Sequence, residues 1–205
     1  MGEEGAALGD VKRLSRAVFL DRDGVLVEER PLVAAREPLT PAVGVSTALE
    51  RMARAGHRLF VVTNQAVVAR GLVTEAELSA QHAALAETIV ALGGPRIEGF
   101  LVCPHHPHAQ VDLYRIECTC RKPRSGLLVR ASQAFGVELE RSWMVGDRSS
   151  DVAAGRRAGC RTILLRGPAT DDAPIVGAEA LGAEAYPDYV ASTLSDAARH
   201  IEASS

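Results

Sequence analysis

Short apolar runs that stop on a polar residue recur along this chain. Ala17 to Leu20 ends at Asp21, Arg58 to Val62 at Thr63, Ile97 to Val102 at Cys103, and Ser142 to Val145 at Gly146 and Asp147. Runs of this length suit strands buried on both faces. Arg161 to Leu165 and Tyr189 to Ala191 complete the set. Helical patterns fill the intervals. Val45, Leu49 and Met52 share a face that Gly56 ends, and Thr74 with Glu77 forms a capping box ahead of Leu78, Leu85, Ile89 and Leu92, stopped by Gly93 and Gly94. Ser125 is placed to cap a helix carrying Leu128, Ala131 and Phe135 and ending at Gly136, and Asp151 to Ala158 forms another before Gly159. The alternation predicts an α/β fold, a three-layer Rossmann-like parallel sheet with helices on both faces. Open sheets of this kind bind ligands beyond the carboxyl ends of their strands, so Asp21, Thr63 and Asp147 are predicted to share one edge.

At 205 residues the chain is expected to form a single domain over 1–205, with residues 1–14 a flexible leader. With only 4% aromatic residues, its core must be close-packed Ala, Val and Leu, which suits layered packing. A net charge of -3 disfavours bulk nucleic-acid binding but leaves room for a local basic pocket. Aliphatic or aromatic runs such as Leu59 to Val62 are far shorter than the ~20 residues of a membrane helix, and the N-terminus has no apolar signal run. The expectation is a cytoplasmic monomer with no nucleic-acid or membrane partner. Gly167 to Pro187, rich in Pro, Gly and acidic residues, reads as a surface excursion before a last helix at Ser195 to Ala203.

The run Phe19-Leu20-Asp21-Arg22-Asp23-Gly24 sets two carboxylates two positions apart just past a strand, with Gly24 free to bend sharply. One can attack phosphorus while the other protonates the leaving alkoxide and then deprotonates water. Asp21, Asp23, Asp147 and Asp151 would together repel a phosphate dianion unless cations intervene. Lys122 and a divalent ion supply the opposing charge. Magnesium favours oxygen ligands, so Asp21, Asp147 and a backbone carbonyl near Asp23 form a candidate site. Thr63 and Asn64 can hydrogen-bond the transferring phosphoryl group. A lone D-x-D is more often a solvated turn. The ordered set D-x-D-G, T-N, R-K-P and G-D-x-x-x-D, each where a loop is predicted, points to phosphoryl transfer.

These motifs resemble those of the haloacid-dehalogenase phosphatase superfamily over about Ala17 to Leu165: Phe19 to Gly24, Val61-Val62-Thr63-Asn64-Gln65, Arg121-Lys122-Pro123 and Val145-Gly146-Asp147. The resemblance implies that Asp21 is the nucleophile, Asp23 the acid/base, Thr63 and Lys122 the phosphoryl stabilisers, and Asp147 a magnesium ligand. Asp151 would orient Lys122 or the surroundings of the metal.

Cys103-Pro104-His105-His106-Pro107-His108, followed by Cys118-Thr119-Cys120, offers thiolates and imidazoles in a cluster. Zinc held tetrahedrally by Cys103, His105, Cys118 and Cys120 would have no open position, making it a structural clip over a 103–120 loop. His106 and His108 are lesser candidates, and Cys160 reads as a small buried hydrophobe. Because Cys120 precedes Arg121 and Lys122, anchoring it restricts both cations.

The same loop resembles the D-glycero-D-manno-heptose 1,7-bisphosphate 7-phosphatases, with histidinol phosphatases close by. That likeness implies no large cap domain and a small anionic phosphosugar as substrate. It also implies that Asn64, Gln65, Arg121 and Arg148 contact substrate and that Glu29, Arg30 and Leu32 line the entrance. Relatives commonly read T-N-Q-S-G-I-A-R-G, whereas Ala66-Val67-Val68 follows Gln65 here, removing a hydroxyl and stiffening the loop. The implied reaction is removal of the 7-phosphate through an aspartyl-phosphate, giving heptose 1-phosphate. Histidinol-phosphate or another small phosphosugar is the alternative substrate. A zinc-stabilised binding module without catalysis is the reading from another class, which the net charge and the absence of an aromatic-basic stripe oppose.

Overall fold

The computed structural model describes residues 14–28, 35–166 and 178–205. Six strands form one sheet: β1 (Ala17–Leu20), β2 (Arg58–Asn64), β3 (Gly99–Cys103), β4 (Trp143–Gly146), β5 (Arg161–Leu165) and β6 (Tyr189–Ala191). Their order is β3-β2-β1-β4-β5-β6, and every pairing is parallel. The chain builds outward from β1 through β2 to β3 and then returns to place β4 on β1's other side. That reversal opens a crevice past the carboxyl ends of β1 and β4.

Strand alternation divides the core. Val18, Leu20, Leu59, Val61, Val145 and Ile163 face one way, against α1 (Val45–Arg54), α3 (Glu75–Ala91) and α7 (Leu194–Ala203). Ala17, Phe19, Phe60, Val62 and Met144 face the other, against α4 (Gly126–Phe135) and α5 (Ser149–Ala158). The result is the predicted three-layer arrangement, with helices on both faces. Cys160 is buried in the second layer. A short α2 (Ala66–Ala69) follows β2 directly.

Several sequence expectations shift in detail. The Thr74 capping box is present, with Glu77 N–H donating to Thr74 Oγ1 and Thr74 N–H donating to Glu77 Oε2. Leu92, expected on the buried stripe of α3, is exposed; the stripe is Leu78, His82, Leu85 and Ile89, and Leu92 falls just past the helix end. Ser125 stands at the start of α4 but its side chain makes no cap hydrogen bond. β2 runs on through Thr63 to Asn64, because both pair with β3. Part of the expected excursion, 178–185, is helical, while 167–177 lies outside the described residues, as does nearly all of the expected leader. Among the described residues no helix is long and apolar enough to cross a membrane.

Candidate active site

β1 delivers Asp21 to the crevice. Its N–H donates to Val145 O on β4 at 2.9 Å, fixing the strand end at the point where the sheet order reverses. Asp21 Oδ1 accepts from Arg22 N–H at 2.7 Å and lies 3.0 Å from Lys122 Nζ. The same ammonium is 2.7 Å from Asp151 Oδ1 and donates to Val62 O at 2.8 Å, so all its hydrogen-bonding capacity is directed. Burial works against the charged Lys122, but Asp151 and Asp21 outweigh it and hold its pKa above the ordinary value.

Asp147 follows β4 and completes a group with Asp21 and Asp151 whose carboxylate oxygens lie within 4.8 Å of one another. Lys122 pairs with two of these three carboxylates, Asp21 and Asp151, so the cluster keeps excess negative charge. Burial pushes Asp21 up to about 6 against the pull of Lys122, and burial together with Asp151 and Asp21 pushes Asp147 up to about 7. Asp147 Oδ1 is buried without a hydrogen-bond partner among the described residues. An orphaned buried carboxylate oxygen beside two other carboxylates fits a hard divalent cation, which takes oxygen ligands and offsets the surplus charge. Gly146 and Gly24 allow this crowding. A Cβ on Gly146 would meet Asp151 Cβ at 2.2 Å.

Asp23 turns toward a different set of partners. Arg22 Nη2 donates to both of its carboxylate oxygens at 2.9 Å, and Gln65 Nε2 donates to Asp23 Oδ2 at 2.8 Å. Gln65 Nε2 also donates to Thr63 Oγ1 at 2.8 Å, and Gln65 Oε1 accepts from Arg22 Nη2 at 2.9 Å. Thr63, Gln65 and Asp23 are therefore linked through one amide. Asn64 is engaged elsewhere: its Nδ2 donates to Lys122 O and its Oδ1 accepts from Lys122 N–H, both at 3.0 Å. This pins the segment carrying Lys122 to the end of β2.

Beyond β3, Cys103 Sγ lies 3.6 Å from both His105 Nδ1 and Cys118 Sγ, and His105 Nδ1 lies 3.3 Å from Cys120 Sγ. Zinc–sulfur and zinc–nitrogen bonds of about 2.0–2.3 Å in a tetrahedron set neighbouring ligand atoms ~3.3–3.8 Å apart, so this quartet fits zinc. Burial pushes the Cys103 thiol up, an unfavourable setting for a thiolate without a cation. His106 and His108 stand outside the quartet; His106 Nδ1 accepts from His108 N–H instead. The loop reaches the crevice through Arg121, whose Nη1 donates to His105 O at 2.9 Å.

A cleft of about 530 Å³ joins these parts, lined by Asp21, Asp23, Thr63, Lys122, Arg121 and Arg148 among others. Asn64, Gln65, Ala66 and Val67 also border it, as do Arg70 and His106, which sequence reasoning did not assign to substrate. Arg70 closes α2, whose short apolar sequence gave little helical signal. Glu29, Arg30 and Leu32 lie outside the described residues. Carboxylates line the floor and guanidinium groups the rim, an arrangement suited to an anionic ester cleaved at one end and held at the other.

A model of HAD-hydrolase-like proteins matches residues 119–197. The D-glycero-beta-D-manno-heptose-1,7-bisphosphate 7-phosphatase of Rhodopseudomonas palustris is 36% identical over 155 residues, 76% of this chain and 86% of its own. The Salmonella typhi protein of the same name is 35% identical over 153 residues, 73% of this chain and 79% of its own. Among solved structures, the D,D-heptose 1,7-bisphosphate phosphatase from B. bronchiseptica, complexed with magnesium and phosphate, superposes with a TM-score of 0.73 at 26% identity, covering 93% of this chain and 99% of that one.

Proposed function

This chain belongs to the D-glycero-D-manno-heptose-1,7-bisphosphate 7-phosphatase family of the haloacid-dehalogenase-like hydrolases, and from that premise we propose that it hydrolyses the 7-phosphate of the heptose bisphosphate, leaving heptose 1-phosphate. The observation that carries the reading is the approach of Lys122 to Asp21 on the floor of a cleft whose rim holds Arg70, Arg121 and Arg148.

In this reading the Asp21 carboxylate attacks phosphorus and forms an aspartyl-phosphate as the bond to the sugar oxygen breaks. Asp23 gives its proton to that leaving oxygen. Water then attacks the phosphorus, its proton passes to Asp23, and inorganic phosphate departs with Asp21 restored. Lys122 and the Thr63 hydroxyl stabilise the charge that spreads over the phosphoryl oxygens. Asp21, Asp147 and a backbone carbonyl near Asp23 would hold magnesium, which would supply positive charge to offset that of the phosphoryl group. Asp151 keeps Lys122 charged and aimed through the 2.7 Å contact. Zinc held by Cys103, His105, Cys118 and Cys120 would act as a structural clip on the loop that carries Arg121.

A cationic aminoalcohol such as the leaving group of histidinol phosphate would meet repulsion from the guanidinium rim, whereas a second phosphate would be attracted. The deciding experiment measures magnesium-dependent phosphate release from α and β heptose 1,7-bisphosphates and from histidinol phosphate. A heptose bisphosphate should have the higher specificity constant. A higher value for histidinol phosphate overturns the assignment.

A further inference from the structure

The buried stripe of α3 contains one polar residue, His82, which is only 4% exposed. Its ring stacks on Phe100 of β3 with centroids 4.7 Å apart and planes inclined by 14°. Its Nε2 lies 3.1 Å from Arg22 Nη1. A guanidinium can only donate, so Nε2 must accept, and the imidazole is neutral with its proton on Nδ1. Burial, reinforced by the Arg22 charge, lowers His82 to about 4, so the acceptor state persists around neutrality.

Arg22 is itself buried, and its remaining donors serve the catalytic edge. Nε and Nη2 reach Asp23 Oδ1 at 3.2 and 2.9 Å, while Nη2 also reaches Asp23 Oδ2 and Gln65 Oε1 at 2.9 Å each. Without His82, Asp23 and Gln65 would hold the guanidinium through Nε and Nη2 only, leaving Nη1 without a partner among the described residues. The hydrogen bond to His82 holds the opposite corner of the planar group, and stacking on Phe100 holds His82.

We propose that His82 is a positioning residue for Asp23, acting through Arg22 to keep the acid/base carboxylate aligned with the leaving oxygen. The proposal rests on the phosphatase reading above, in which Asp23 protonates an alkoxide. Misaligning Asp23 should therefore hurt esters whose leaving group needs a proton and spare those whose leaving group departs as a stable anion.

The test compares kcat/KM for heptose bisphosphate with kcat/KM for 4-nitrophenyl phosphate, because this constant covers steps only through loss of the leaving group. His82→Leu should lose roughly 30-fold or more on the sugar ester and under about 3-fold on the aryl ester. His82→Gln, which can offer a carbonyl oxygen to Arg22, should recover most of the sugar-ester rate. His82→Ser, too short to reach Arg22, should show the same split as His82→Leu and serves if the leucine variant fails to fold. Equal losses on both esters, an unchanged sugar-ester rate, or failure of His82→Gln to recover it would overturn the proposal. If the unsubstituted protein cleaves other alkyl phosphomonoesters but not heptose bisphosphate, the substrate assignment fails. The His82 comparison then proceeds with the alkyl ester that is cleaved.

Discussion

Gly24 sits so close to Asp147 that a Cβ added to it would stand 2.1 Å from Asp147 Oδ2. The glycine also has a positive φ of 75°, which side-chain-bearing residues rarely adopt. The bend after D-x-D and the placing of the third carboxylate thus depend on one missing methyl group. Gly24→Ala should lower unfolding free energy by about 1–3 kcal/mol and kcat/KM by roughly 100-fold, with a higher magnesium requirement. Urea unfolding and phosphate release across a magnesium titration check this; wild-type activity at low magnesium would contradict it.

Removing the ammonium that separates Asp21 from Asp151 should be costly in two ways. Lys122→Met leaves two buried carboxylates without their cation, so stability should fall by about 3 kcal/mol at neutral pH. Phosphate release should fall by roughly a thousandfold. Lys122→Arg should not restore the rate, because a planar guanidinium cannot occupy the site where Nζ meets Asp21, Asp151 and Val62 O together. Denaturant melts and initial rates on the two variants measure both effects.

The cysteine loop makes a prediction about metal content. Native mass spectrometry should find one zinc per chain, and Cys118→Ser should lose it while lowering the melting temperature by more than about 5 °C. KM should rise with metal loss, since Arg121 hangs on the His105 carbonyl. A metal-free native protein indifferent to chelators would refute the zinc assignment. Gly126→Ala should resemble Cys118→Ser in stability, because the new Cβ would meet Thr119 O at 2.4 Å between two of the ligands.

His57, at the opposite end of β2 from Thr63, is buried with neither ring nitrogen hydrogen-bonded through its side chain among the described residues. Burial, with Arg16 nearby, lowers its pKa from 6.5 to about 4. The unfolded chain therefore takes up this proton first as pH falls. Stability from the neutral ring is fully present above about pH 6.5 and is lost progressively down to about pH 4, by up to about 3 kcal/mol. His57→Gln should flatten that part of the curve, measured by urea midpoints from pH 8 to pH 4.5. An unchanged slope would exclude His57 as its source.

Much of this architecture was legible because apolar runs turn polar at or near the carboxyl ends of the strands: Asp21, Thr63 and Asp147 each follow such a run, and the sheet brings them to one edge. The cysteine spacing likewise pointed to the four residues that converge. What escaped was the side-chain pairing. Nothing in Asp-Arg-Asp announces that the middle residue turns back onto the last, and helical periodicity cannot show that His82 meets a buried partner from another element. Asn64 borders the cleft, but nothing in the sequence shows that its amide clasps the Lys122 backbone, joining the end of β2 to a segment far along the chain. Leu92 matched the helical period but lay one residue beyond α3, the kind of boundary pattern alone places poorly.

The most direct test traps the covalent state. The protein is mixed with heptose bisphosphate and magnesium, quenched in acid within milliseconds, digested and sequenced by mass spectrometry. The phosphoryl group should appear on Asp21 and be absent from Asp21→Asn, which should also release no phosphate. Phosphoryl transfer to any other side chain, or sustained phosphate release by Asp21→Asn, would contradict the account.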